Sequence, residues 1–257
     1  MTQATGGSDA GWPSGYARDV LDETDSTLNE AERQFDTLTG PTWILALNQT
    51  QARGRRGKAW THPRGNFAAT LVMPLDEPPG HAALRSFVTA LAVYDAFVML
   101  CGRAEPFQLK WPNDVLLNGG KVAGILLESV QRKGRVAGLS IGIGVNLAEA
   151  PDPASLPPDA VRPVALAAET GALVAPGEFL SALAQTYAAH EASFRVLGFA
   201  PIRRLWLDRA ARLGQEIVAR TGTAETRGIF ETVDDDGRLI LRTGAGRQAI
   251  AAADVFL

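Results

Sequence analysis

Between Phe107 and Leu147 the chain runs through four strand-length segments: Phe107–Trp111, Asp114–Leu117, Lys121–Val130 and Leu139–Leu147. Asn118-Gly119-Gly120 supplies a hairpin turn between the second and third, since asparagine and glycine tolerate the positive φ of tight hairpins. Hairpin-linked strands pair antiparallel. This stretch therefore argues against an alternating βαβ layout and predicts an α+β fold on a mixed, largely antiparallel sheet.

The remaining segments fit around that sheet. Tyr16–Leu21, Thr42–Leu47 and Phe67–Met73 read as further strands. Asp25-Ser26-Thr27 before Leu28–Phe35 reads as a helix start, with Glu30 and Glu32 near the positive end of the helix dipole. His81–Cys101 reads as a central helix. Its apolar run Phe87–Leu100 contains Asp95 and reads as too short and too charged to span a bilayer. Proline-rich Ala150–Pro163 reads as a surface loop, Val164–Thr170 as a short helix, and Gly177–Leu197 and Pro201–Leu213 as amphipathic helices. Past Gly214 the texture changes to short strands, Gln215–Arg220, Thr226–Val233, Arg238–Arg242 and Gln248–Ala252, with turns at Asp234–Gly237 and Gly244–Gly246. The expected organisation is a flexible leader over 1–17, a catalytic domain over 18–213 and a small β-barrel over 214–257.

Composition narrows the partners. The 257 residues carry a net charge of −3, so nothing global favours nucleic acid or an anionic membrane, and any anion site must be a local cluster of positive charge. The single cysteine, Cys101, excludes an internal disulfide or a cysteine-rich zinc site. It lies in an apolar run and reads as a buried small hydrophobe, which fits the cytoplasm. The polar start Met1–Gly11 lacks the pattern of a secretory signal.

Such a positive cluster exists. In Gln49-Thr50-Gln51-Ala52-Arg53-Gly54-Arg55-Arg56-Gly57-Lys58-Ala59-Trp60, arginines alternate with glycines between two strands. Glycine lets backbone N–H groups approach an anion, and arginine offers a fixed fork of donors to carboxylate or phosphate. A solvated basic loop or a nucleic-acid patch is the alternative, and the spacing is not that of a Walker loop. In Lys110-Trp111-Pro112-Asn113-Asp114, Pro112 breaks the strand and sets Asn113 and Asp114 at a bend. Lys121 then leads an apolar strand and either points into a cleft or ends a hairpin in water. In Ile141-Gly142-Ile143-Gly144-Val145-Asn146 two glycines share one strand face, where they clear space for a flat ligand or for close packing. His62, His81 and His190 are scattered and receive no role.

Taken together, Ala52–Gly57, Lys110–Asp114, Lys121–Leu126 and Gly142–Asn146 resemble, in order and spacing, the biotin protein ligases, also called biotin–[acetyl-CoA-carboxylase] ligases. The resemblance covers about residues 20 to 257. It implies a catalytic domain like that of class II aminoacyl-tRNA synthetases and biotin/lipoate ligases, followed by an SH3-like barrel. It implies ATP-dependent formation of biotinyl-5′-AMP and transfer of biotin to a lysine of a biotin carboxyl carrier protein or domain, with Mg²⁺. Biotin contacts carry over to Ser26, Thr27, Leu28, Gln49, Arg53, Gly54, Arg55, Lys121 and Gly124. ATP contacts carry over to Arg53, Arg55, Arg56, Trp60, Lys110, Asn113, Asp114, Lys121 and Asn146. Lys121, Arg53, Arg55 and Asp114 are the implied catalytic groups, and Asp114 is the implied Mg²⁺ ligand.

Two departures stand out. Ala52 replaces the first loop glycine, and the family's Ser-Thr-Asn reads Ser26-Thr27-Leu28, with Asn29 one position later. Fewer than 20 residues precede the first strand, too few for the winged helix of repressor-type members, so no DNA partner is expected. No membrane partner is expected either, and the family admits a homodimer. A lipoate or octanoyl ligase, a biotin-responsive repressor and a basic-loop RNA-binding module are the rival readings.

Overall fold

The computed structural model describes residues 11–54, 57, 60–133, 135–156, 160–222, 224–251 and 253–256. A seven-stranded sheet forms the frame, in the order β1-β2-β3-β7-β6-β5-β4. Its strands are β1 (Ala17–Leu21), β2 (Thr42–Ala46), β3 (Phe67–Glu77), β4 (Phe107–Lys110), β5 (Asp114–Leu117), β6 (Gly120–Arg132) and β7 (Arg135–Val145). Among the strand pairs of this sheet in the described residues, β1 with β2 is parallel and the others are antiparallel, including those of the hairpin-rich stretch β4–β7. The mixed, largely antiparallel sheet expected from the sequence is therefore present.

Both faces of the sheet are covered, which is why Phe67–Met73 in β3 is buried without alternation. On one face lies α1 (Thr27–Gln34), whose Ala31 packs with Ile44 and Val72. On the other lie α3 (Arg85–Cys101) and α5 (Pro176–Leu197), which carry the main core with Val88, Leu91, Phe97, Phe179 and Leu183. The expected helix His81–Cys101 is divided at Leu84 into a one-turn α2 (Pro79–Ala83) and α3. The longer span Pro79–Cys101 is, by length and apolarity alone, sufficient to cross a bilayer, yet 67% of its most apolar window is buried inside the fold, as in a core helix.

Of the remaining helices, α4 spans Leu166–Thr170 and α6 spans Phe199–Leu207. α6 stops six residues short of the sequence expectation. The backbone at Arg209–Ala211 is taken by β4 instead: Leu109 N–H donates to the Arg209 carbonyl (2.8 Å) and Ala211 N–H to the Leu109 carbonyl (2.8 Å). Pairing with a strand here outweighs helical periodicity. Of the expected leader, residues 1–10 lie outside the described residues, while Trp12 and Tyr16 pack against the core.

The C-terminal part forms a separate five-stranded antiparallel sheet, β11-β10-β9-β8-β12, the arrangement of an SH3-like domain. Its strands are β8 (Glu216–Thr221), β9 (Ala224–Val233), β10 (Leu239–Thr243), β11 (Gly246–Ile250) and β12 (Asp254–Phe256). β12 has no counterpart in the sequence reading. It pairs antiparallel with β8.

Candidate active site

A cavity of about 390 Å³ opens over the first sheet between α1, the Gln49–Trp60 loop and the β5–β6 hairpin. Every described residue that the sequence reading placed in a biotin or ATP site lines it. Arg55 and Arg56 lie outside the described residues.

One end is built by the N-terminus of α1. Ser26 is the N-cap: its Oγ accepts from the Leu28 N–H (3.3 Å), which leaves its own proton for another acceptor. Thr27 Oγ1 donates to Gln49 Oε1 (3.1 Å) and accepts from Thr70 Oγ1 (2.8 Å), so it has only a lone pair left to offer. Gln49 Oε1 also takes the Thr27 N–H (2.7 Å), and what Gln49 retains is its amide N–H₂. Ser26 and Thr27 are 2% and 3% exposed, so these leftover donors and acceptors have little access to water. His62, to which no role was given, is one bond away. Its Nδ1 accepts the Gln49 N–H (3.2 Å) and its Nε2 faces the Asn66 carbonyl (3.0 Å). Burial pushes its pKa down and so favours the neutral ring this pattern requires.

The other end carries positive charge. Lys121 Nζ lies 2.6 Å from Asp114 Oδ1, and Lys110 Nζ lies 3.4 Å from Asp114 Oδ2. Burial would raise the Asp114 pKa, but the two lysines outweigh it and hold the carboxyl below its ordinary value. Lys121 is thus a cleft lysine, 30% exposed, and not a hairpin-end lysine in water. Its backbone is tied to the proline-rich segment: Lys121 N–H donates to the Arg162 carbonyl and Val164 N–H to the Lys121 carbonyl. Arg53 reaches the same cavity, paired to Glu128 (2.9 Å). Asn113 braces the hairpin, since its Nδ2 donates to the Ile125 carbonyl. Asn146 Nδ2 donates to the Val164 carbonyl (3.1 Å), while its Oδ1 is buried without a hydrogen-bond partner.

Gly142 and Gly144 of β7 serve close packing. A Cβ on Gly144 would sit 2.6 Å from the Trp60 indole, and one on Gly142 would sit 3.0 Å from Leu28. Leu28 is therefore a packing residue over Gly142. Trp60 lies between Gly144 and Gly124, with Lys121 Nζ 5.5 Å from its ring centre. Sequence reasoning missed two walls. One is the proline-rich loop, through Pro151, Leu156, Val161 and Pro163; the other is the C-terminal sheet, through Arg220 and Asp254–Phe256. No local signal marks either, because each reaches the cavity only through tertiary pairing.

As a Mg²⁺ ligand, Asp114 does not fit. Both its oxygens face lysines, and no group of three His, Cys, Asp or Glu able to hold a metal exists among the described residues.

A buried hydrogen-bonding end, a cationic end and a flat aromatic wall on this sheet suit a carboxylate-bearing ligand held beside a nucleotide, the pairing that a carboxylate-activating protein ligase requires. Residues 19–146 match the biotin/lipoate A/B protein ligase family, and residues 213–257 match the biotin protein ligase C-terminal domain. The chain is 55% identical, over 92% of its length and 99% of the relative's, to a biotin–[acetyl-CoA-carboxylase] ligase of Paracoccus denitrificans. It is 30% identical to the bifunctional ligase/repressor of Bacillus subtilis over 93% of its own length and 72% of that protein's. Its fold matches the Aquifex aeolicus biotin protein ligase in complex with biotin and ATP, with a TM-score of 0.77, 25% identity and coverage of 93% and 97%. The chain belongs to the biotin protein ligase family.

Proposed function

We propose that this protein joins biotin to ATP as biotinyl-5′-AMP and then transfers the biotinyl group to a lysine of a carboxylase carrier protein or domain. The observation that carries this reading is the polarity of the α1 end of the cavity. Ser26 has a proton to give and Thr27 a lone pair. That pair complements the C=O and N–H of a cyclic urea. The dithiolane ring of lipoate offers neither group, so the same cavity favours biotin over lipoate.

The cationic end addresses the obstacle to the first step, the repulsion between a carboxylate and a triphosphate. Arg53, Lys110 and Lys121 bring three positive charges against the two carboxylates Asp114 and Glu128. The carboxylate oxygen attacks the α-phosphorus and pyrophosphate leaves; cations fixed in a partly dry site stabilise the charge that builds there. Asn146 Oδ1, buried and unpaired, suits the adenine amino group, and Trp60 supplies a flat wall for the ring. In the second step the carrier's lysine amine attacks the acyl carbon and AMP departs. Holding both partners in place supplies much of the rate. Mg²⁺ belongs to this reading only as a companion of the triphosphate. A cytoplasmic location and no DNA or membrane partner complete the proposal, in a family that admits both monomers and homodimers.

Lys121→Ala and Arg53→Ala are expected to fold normally and to lose biotin-dependent pyrophosphate exchange by about 10²-fold or more. Exchange near the parent level in both variants would overturn the assignment, as would exchange supported by lipoate as well as by biotin.

A further inference from the structure

The displaced asparagine at position 29 finds a use in the structure. Leu28 turns onto Gly142, and Asn29, one residue further round α1, sends its Oδ1 to the Arg53 guanidinium. Its Nδ2 is anchored on Asp25 Oδ2 (2.7 Å). Asp25 is itself held by Arg33 (2.8 Å) and by the Ser26 N–H (2.7 Å). From the opposite side Glu128 of β6 takes Arg53 Nε (3.1 Å) and Nη2 (2.9 Å) as a two-point pair. Three of the five donors of the guanidinium are thereby fixed by groups on two different elements, and two remain. The arginine lines the cavity in this posture.

We propose that Asn29 and Glu128 are positioning residues that hold the Arg53 guanidinium at the cavity before an anion arrives, so that its two remaining N–H groups receive the biotin carboxylate. The inference rests on the placement of Arg53 at the anion end of the site. A long arginine on a loop pays for ordering when it binds, and a clamp made in advance removes that cost. Asn29 also compensates locally for Ala52, since it ties the residue after Ala52 to α1. Asp25 and Arg33 extend the clamp to the strand-to-helix turn that carries Ser26 and Thr27. The biotin ring end and the carboxylate end are thus braced by one hydrogen-bonded chain.

Glu128 makes the sign of the test decisive. As a clamp it helps the ligand; as a mere counter-anion it competes with the ligand's carboxylate. Biotin affinity is measured by calorimetry for the full-length parent and for Asn29→Ala, Glu128→Gln and Arg53→Ala, and for each of the first two combined with Arg53→Ala, with thermal unfolding of each. We expect unfolding temperatures near the parent's. Asn29→Ala and Glu128→Gln should each weaken biotin about tenfold, the scale of a lost hydrogen bond to a charged group. Neither should weaken it further once Arg53 is alanine. Tighter binding by Glu128→Gln would overturn the proposal in favour of competition. Equal losses with and without Arg53 would overturn it in favour of a merely structural role. An unchanged affinity in Arg53→Ala would overturn it together with the placement of Arg53, whereas a loss in Arg53→Ala without loss in the other two would overturn the clamp alone.

Discussion

Gly144 shows how much a single missing carbon decides at this site. The Trp60 indole lies so close to β7 that a Cβ on Gly144 would stand 2.6 Å from it, inside any tolerable contact. Gly144→Ala must push the indole into the cavity, where the aromatic wall faces the nucleotide in the proposed function. Overpacking of this kind costs on the order of 1–3 kcal/mol, so we expect the KM for ATP in pyrophosphate exchange to rise roughly tenfold or more while the KM for biotin stays near the parent's. An unchanged KM for ATP would show that Trp60 does not shape the nucleotide site. The sequence showed that glycines were needed at 142 and 144 but left open whether for a ligand or for packing. It could not name Leu28 and Trp60 as the side chains that fill the space, because both approach from distant segments. The chemistry-bearing residues were legible for a different reason: anion sites use few residue types, and Arg53, Lys110 and Lys121 stand in compact runs. His62 was illegible because a lone histidine gives no signal until its ring is seen between Gln49 and Asn66.

At the scale of elements, β5 was readable to the residue because its pairing is local, whereas β7 begins at Arg135, four residues before the expected Leu139, because its hairpin with β6 runs on past the apolar stretch. Elements set by distant partners were not readable: α6 ends early because β4 takes its continuation, and β12 exists only as a partner of β8. The start of α3 is fixed in the same non-local way. Arg85 is 1% exposed and bridges Glu77 at the end of β3 (2.7 Å) and Glu191 in α5 (2.9 Å). Burial would raise the Glu77 pKa, but its bonds to Arg85 and His81 bring it down to about 2. Burial pushes Glu191 up despite Arg85. Removing the arginine strands Glu191 in the interior, so Arg85→Met is expected to lose about 3–5 kcal/mol in urea unfolding. Adding Glu191→Leu should recover much of that loss, because an apolar pair of similar volume has no charge to desolvate. A single variant with stability within about 0.5 kcal/mol of the parent would show that this cluster does not lock α3 and α5 to the sheet.

For the whole molecule, the cavity is a joint product of two sheets. The C-terminal sheet is braced against the Lys110–Asp114 segment, since Trp111 Nε1 donates to the Gly237 carbonyl (3.1 Å). Gly237 approaches Phe87 so closely that a Cβ would stand 2.9 Å from the ring, and Arg203 pairs with Asp235 (2.6 Å). This docking brings Arg220 and Asp254–Phe256 to the rim, with the Arg220 guanidinium 4.4 Å from the centre of the Phe256 ring. A two-step ligase must keep its acyl-adenylate until the carrier arrives, and the Phe256 ring, which lines the cavity, offers that adenylate apolar contact. Phe256 is only partly buried, so Phe256→Ala should cost little stability. The loss of roughly 1.5 kcal/mol of apolar contact with the adenylate predicts about tenfold faster escape of biotinyl-5′-AMP. Escape is read by mass spectrometry as free adenylate and its hydrolysis product AMP, in protein incubated with ATP and biotin but no carrier. With carrier present at saturation, transfer per ATP consumed should fall, because water takes part of the released adenylate in solution. Retention equal to the parent's would assign the C-terminal sheet a bracing role alone.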